Sequence, residues 1–416
     1  MKFVYRFLPV SLAILMVLGS WLLSMGQADA RTINKVRINW PIIAGAVSYR
    51  LEIMKAPDSS LTNRVKAINR IPVNGYELNT EDMPEAEHYY WRVCPLGYNG
   101  NVIGDYTDIK PLKSEEINPS MPRGTTEFNR MAYVPLYPVF SWIPVAGSGG
   151  YDVHISREKA DSPGQYQVIR SFQTNSNVLY EDGGYTWPGR YMWQVRSVDK
   201  NGQPNTEWSE PDYFTVENRV KVAALGDSIT HGGGTCNTPP GYVIYSWETY
   251  SKVPIKNLGH SGDTVQDMAA RFDRDVVCFS PKILVIMGGV NNFRAGESGW
   301  DTIAAMEQIL AECQLHDIIP VFATATPINA DLMQHVETVE EPVWNWQAEQ
   351  EILNQWIMNQ PYHVDVTTPL KDEYGQLKES FTTDGLHPDH EGKRIIGEII
   401  ANYLLTTFPD YDLLNK

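Results

Sequence analysis

Four short clusters in the C-terminal half hold residue types that together can carry out acyl transfer. Ser228, in Gly226-Asp227-Ser228-Ile229-Thr230, follows an apolar run and a turn glycine. A serine there is by itself an ordinary helix cap. As a nucleophile it needs a base, a group to orient that base, and donors for an oxyanion. Asp384 and His387 stand three residues apart in a turn. That spacing sets a carboxylate against an imidazole, fixing its tautomer and stabilising its protonated form. Gly262, in Asn257–Thr264, has no side chain to keep a substrate from its backbone N–H. Asn291, in Gly288–Asn292, offers an amide donor to developing negative charge. Each cluster alone is turn or cap chemistry, but together they fill every role in a serine-dependent acyl transfer. His231, His260, His363 and His390 read as structural or rim residues.

Such clusters need a scaffold that brings them to one place. Apolar strands are expected at Val220–Leu225, Pro254–Leu258, Ile283–Met287, Ile319–Ala325 and Tyr362–Val366. They alternate with helical stretches, among them Trp300–Cys313 and Gly392–Leu405, whose apolar residues recur every three to four positions. This alternation implies a parallel sheet covered on both faces. Open sheets of that kind place their sites at the carboxyl ends of the strands, where the polar clusters fall.

The preceding half is different. The stretch Trp40–Ile53 returns as Trp142–Ile155, 102 residues on, and Tyr89 and Trp91 return as Tyr191 and Trp193 at the same offset. Asn99-Gly100 matches Asn201-Gly202, and Tyr106 falls opposite Trp208. A constant offset over such a length means two copies of one structural unit. Apolar and polar residues alternate within each copy, as expected of short antiparallel strands in a β-sandwich. The paired tryptophans read as core residues. The expected organisation is an export signal at 1–30, a first module at 31–112, a polar linker at 113–131, a second module at 132–217 and an α/β domain at 218–416. In wording the modules resemble fibronectin type III domains.

The order Gly-Asp-Ser, a glycine block, Gly-Val-Asn and Asp-x-x-His resembles the SGNH (GDSL-type) hydrolases over roughly Arg219 to Phe408. The resemblance implies a three-layer, flavodoxin-like α/β domain acting as a serine esterase. Ser228 is then the nucleophile, His387 the base and Asp384 its orienting group. The Ser228 N–H, the Gly262 N–H and the Asn291 side chain make the oxyanion hole. One departure stands out: the family's third block usually continues with aspartate, and here Asn292 follows Asn291. The architecture suggests O-acetyl groups on extracellular carbohydrate as substrate. Short acyl esters of lipids or small alcohols are the second reading, acyl transfer to a sugar hydroxyl a third, and a catalytically weak surface binding protein the alternative of another class. Tyr242, Tyr245, Trp247 and Tyr250, after the nucleophile, either line a substrate site or pack a core.

Composition narrows the partners. A formal charge of -16 argues against nucleic acid, which needs clustered Lys and Arg, and against adhesion to anionic membrane surfaces. Lys2 and Arg6, the apolar run Phe7–Met25 and Ala28-Asp29-Ala30 have the form of an export signal, leaving no stable membrane insertion after cleavage. Cys94, Cys236, Cys278 and Cys313 make no disulfide framework at this length. No spacing suggests a metal site, and no cofactor is expected.

Overall fold

Period-two alternation in the first half folds as antiparallel strands. The computed structural model describes residues 34–97, 100–234, 240–336 and 339–416. The expected export signal, Asn99 and Cys236 lie outside the described residues. The first repeat contains β1 (Lys35–Asn39), β2 (Ser48–Met54), β3 (Arg64–Ile71), β4 (Gly75–Asn79), β5 (Tyr90–Leu96), β6 (Lys110–Pro111) and β7 (Glu116–Ile117). They form sheets of order β4-β1-β7 and β3-β2-β5-β6. Ile38, Trp40, Leu51, Trp91 and Val93 fill one core from both sheets. Glu116 and Ile117, in the stretch expected as linker, pair with β1 at Arg37 and Val36. A two-residue edge strand is too short to leave a periodic signal.

The second repeat contains β8 (Val139–Ser141), β9 (Gly150–Lys159), β10 (Ser162–Thr174), β11 (Val178–Tyr180), β12 (Gly189–Val198) and β13 (Asp212–Val216). Its sheets have orders β10-β9-β12-β13 and β11-β8. The repeat read from the sequence is repeated in the packing. Trp40 lies 6.4 Å from Trp91 and Trp142 6.4 Å from Trp193, between ring centroids. Tyr49 accepts a hydrogen bond from the Ile43 N–H at 3.2 Å, and its counterpart Tyr151 accepts one from the Val145 N–H at 2.9 Å. The paired tryptophans are core residues in both copies.

The last part is a five-stranded parallel sheet of β14 (Val222–Gly226), β15 (Ile255–Gly259), β16 (Ile283–Met287), β17 (Ile319–Ala323) and β18 (His363–Val364). Every residue of β14, β15 and β16 is buried, as apolar strands under helices on both faces must be. The order β15-β14-β16-β17-β18 makes the connection reverse between β14 and β16, the position at which doubly wound sheets open a crevice. Helices Gly299–Leu315 and His390–Thr407 contain the two helical stretches read from the sequence. A further long helix, Trp346–Met358, was not anticipated.

The edge strand β15 is not left open. The segment just before β8 runs beside it: the Leu136 N–H donates to the Asn257 carbonyl at 2.9 Å, and Lys256 Nζ donates to the Val134 carbonyl at 2.7 Å. Covering an edge removes a template for unwanted pairing. One continuous core joins Tyr137 and Trp193 to Val222 and Leu258. Tyr242, Tyr245 and Trp247 are buried, and the Val243 N–H donates to Glu127 at 3.0 Å. These rings therefore pack the interior. Among the described residues no helix is long and apolar enough to cross a membrane.

Candidate active site

β14 ends at Gly226, and the chain turns directly into the helix Ser228–His231. A side chain at Gly226 would meet the Met287 carbonyl oxygen at 2.5 Å and Thr230 Oγ1 at 2.3 Å, so the tight turn requires glycine. Asp227 caps the helix, accepting the Ile229 N–H at 2.9 Å, which leaves Ser228 as its first residue. Ser228 Oγ lies 3.0 Å from His387 Nε2. His387 Nδ1 lies 2.8 Å from Asp384 Oδ2. The other carboxylate oxygen accepts the N–H groups of Leu386 at 2.9 Å and His387 at 2.8 Å. Burial works to raise the Asp384 pKa, but the facing imidazole and these hydrogen bonds outweigh it and hold the carboxyl below its ordinary value. An ionised Asp384 accepts the hydrogen bond of Nδ1–H, which keeps the proton on Nδ1 and leaves the Nε2 lone pair to face the serine hydroxyl. All three residues are buried. The turn spacing read from the sequence thus brings together serine, imidazole and carboxylate.

The expected oxyanion donors stand at the ends of the neighbouring strands. The Ser228 N–H is the first of its helix and has no acceptor four residues back. Gly262 follows β15 with φ +91° and nothing within 4 Å of where a Cβ would stand, so conformation rather than space demands glycine there. Asn291 follows β16 at the start of the helix Val290–Ala295. Its Nδ2 donates to the Asp263 carbonyl at 2.9 Å, tying it to the Gly262 loop with one hydrogen and leaving the other for a ligand.

The family model described as GDSL-like Lipase/Acylhydrolase matches residues 224–395. The C-terminal domain belongs to this acylhydrolase family. It is a hydrolase of ester bonds. No curated protein matches the chain. Solved structures similar to it include a GDSL-like lipase from Bacteroides thetaiotaomicron, 19% identical, covering 46% of this chain and 93% of that one with a TM-score of 0.37. The lipase/acylhydrolase from Enterococcus faecalis is 18% identical, covering 45% and 95% with a TM-score of 0.37. An acetylxylan esterase from Geobacillus stearothermophilus is 18% identical, covering 44% and 93% with a TM-score of 0.33.

The acylhydrolase domain supports these groups with residues that the sequence did not reveal. Arg271 is buried and binds the ends of two strands at once, the Gly226 carbonyl at 3.0 Å and the Leu258 carbonyl at 2.8 Å. Its Nε donates to Asp263 at 2.6 Å. An arginine is suited to this because its donors form a fixed planar fork. Asn292 is buried and accepts the Val265 N–H at 3.0 Å, while its Nδ2 donates to Gln266 at 2.6 Å and to Glu297. Under the nucleophile, Lys393 donates from Nζ to the Ile229 carbonyl. Burial lowers the Lys393 pKa to about 8 and raises that of Asp227 to about 6. Of the histidines read as structural or rim residues, His231 is buried and His260 half-buried, and both contact the Gly262 loop.

Proposed function

We propose that the acylhydrolase domain removes short acyl groups, O-acetyl above all, from extracellular carbohydrate, with Ser228 as nucleophile. The observation that carries this is the 3.0 Å approach of Ser228 Oγ to His387 Nε2, with Asp384 behind the ring. His387 takes the serine proton as Oγ attacks the ester carbonyl. The N–H groups of Ser228 and Gly262 and the Asn291 amide then stabilise the tetrahedral oxyanion. His387 next protonates the leaving alcohol, and water repeats the cycle on the acyl-enzyme. In the same reading the repeats are fibronectin type III-like modules of an exported protein.

The surroundings of the Gly262 loop support a hydroxyl-rich leaving group. Asp182, from the second repeat, lies 3.6 Å from His260, with a side chain 82% exposed, and Tyr180 beside it is exposed. Tyr242, Tyr245 and Trp247 are packed inside and provide no open trough for a long acyl chain. Hydrolysis of p-nitrophenyl acetate by the chain from Arg31, beside Ser228→Ala, tests the nucleophile. Acetate release from acetylated polysaccharide, compared with cleavage of long-chain acyl esters, tests the substrate. Preference for the long chains overturns the carbohydrate reading. Equal turnover by the variant overturns the mechanism, and no turnover by either folded protein favours a binding protein.

A further inference from the structure

The second repeat grips the loop that carries Gly262. His231, the last residue of the nucleophile's helix, uses both ring nitrogens. Nε2 lies 2.6 Å from the Tyr137 carbonyl oxygen. Nδ1 lies 3.2 Å from the Ser261 backbone nitrogen and 2.9 Å from its hydroxyl. With its proton on Nε2, the neutral ring donates to Tyr137 and accepts from Ser261. The Ser261 N–H lies one peptide plane ahead of the Gly262 N–H, so this ring holds the residue that leads into that donor.

Tyr137 makes a second connection through its side chain. Its hydroxyl donates to Asp275 and accepts from Arg274 Nη2 at 2.6 Å. Asp275 in turn receives Arg271 Nη1 at 3.2 Å, the same Arg271 that holds Asp263, Gly226 and Leu258. A third connection is ring packing: Tyr137 meets His260 edge-on, 4.7 Å between centroids, and His260 Nδ1 lies 2.8 Å from Asp263. Residues 260, 261 and 263 are therefore each held by a chain of contacts that leads back to Tyr137, with Gly262 between them.

We propose that Tyr137 is a positioning residue for ester hydrolysis, fixing the direction of the Gly262 N–H through His231 and Arg271, so that the second repeat is a working part of the active site. This rests on the reading of Gly262 as an oxyanion donor. Tyr137 acts only through other residues, and its effect falls on the transition state, where that donor is used.

The test uses the full chain with Tyr137→Phe, which keeps the ring and the main-chain carbonyl, and His231→Phe, which cuts the other connection. Expected for each is a fall of about tenfold in kcat on p-nitrophenyl acetate with KM changed less than about twofold, since a misplacement of 1 Å costs up to about a hundredfold. Amide exchange should quicken in peptides spanning 259–264 and stay unchanged in β16 and β17. Wild-type kcat and wild-type exchange in Tyr137→Phe overturn the proposal, as does exchange that quickens evenly through the domain. If His231→Phe fails to fold, Tyr137→Phe alone decides. The two readings fail separately: a Ser228→Ala variant as active as wild type removes the esterase mechanism, whereas the exchange measurement still judges the hold on the loop.

Discussion

Asn292 donates to the Glu297 carboxylate from Nδ2 while its Oδ1 accepts the Val265 N–H at 3.0 Å. The acceptor half of this arrangement is one an aspartate would supply equally well, capping the helix Val265–Ala270 that follows the Gly262 loop. The donor half is what Glu297 and Gln266 require. The departure from the family's usual aspartate is thus matched by an acid five residues on. Asn292→Asp should set two carboxylates against each other in a partly buried place, costing about 1–3 kcal/mol of stability. Asn292→Asp combined with Glu297→Gln should recover most of it. Urea denaturation of the three proteins checks this, and a fully stable single variant would refute it.

Removing the nucleophile and removing one oxyanion donor should differ in degree. Ser228→Ala should bring ester hydrolysis to background. Asn291→Ala should lower kcat by about a hundred- to a thousandfold, the usual loss for one such donor. Steady-state kinetics on p-nitrophenyl acetate separates the two, and a loss under about threefold for Asn291→Ala would place the hole elsewhere.

What could be read from the chain was whatever rests on local pattern. β16 falls on the predicted Ile283–Met287 residue for residue, because a buried strand between helices is a continuous apolar run. The serine, the glycine block, the amide and the Asp-x-x-His turn were legible because each sits in a short segment at a strand end. The helix Trp346–Met358 was not. Its buried face includes Gln350 and Asn354, which break the apolar stripe. They are there to bind the main chain of Ala325, at 3.0 Å from Gln350 Nε2 to the carbonyl and 2.8 Å from the N–H to Asn354 Oδ1. Arg271 and Tyr137 were invisible for a related reason: their partners are main-chain carbonyls and side chains brought close only by the fold. β18 is short, His363–Val364, where five residues were expected.

His231 should give the protein an acid-sensitive limb. Burial lowers its pKa from 6.5 to about 4. Between those values the unfolded chain binds a proton that the folded chain refuses, so stability rises with pH there and is fully present above 6.5. At about 1.4 kcal/mol per pH unit, on the order of 3 kcal/mol should be lost as pH falls from 6.5 to 4. His260 has the opposite shift: its hydrogen bond to Asp263 raises its pKa, and its contribution is lost as pH rises. Urea midpoints of wild type and His231→Gln between pH 4 and 7 isolate the first effect. The variant should show the shallower acid limb, and parallel limbs would contradict the assignment.

Lys393 should matter more at pH 7 than at pH 5. It is fully buried beneath the nucleophile's helix, with Asp227, Glu248 and Asp384 as the acids acting on it. Burial raises Glu248 to about 7 and Asp227 to about 6, so at pH 7 Asp227 is anionic and Glu248 about half so, and both take up protons by pH 5. Lys393→Met keeps the length of the side chain and removes the charge. At pH 7, below the Lys393 pKa of about 8, it leaves buried carboxylates without their cation, a change that costs about 3–5 kcal/mol when one partner of a buried pair is lost. At pH 5 Asp227 and Glu248 are largely neutral and only Asp384 stays ionised, so the loss should shrink toward that of the hydrogen bond to the Ile229 carbonyl, about 1 kcal/mol. Urea denaturation of wild type and variant at the two pH values gives the answer directly. An equal loss at both would mean that Lys393 acts by packing and its one hydrogen bond, and that the acids beneath Ser228 are balanced by something else.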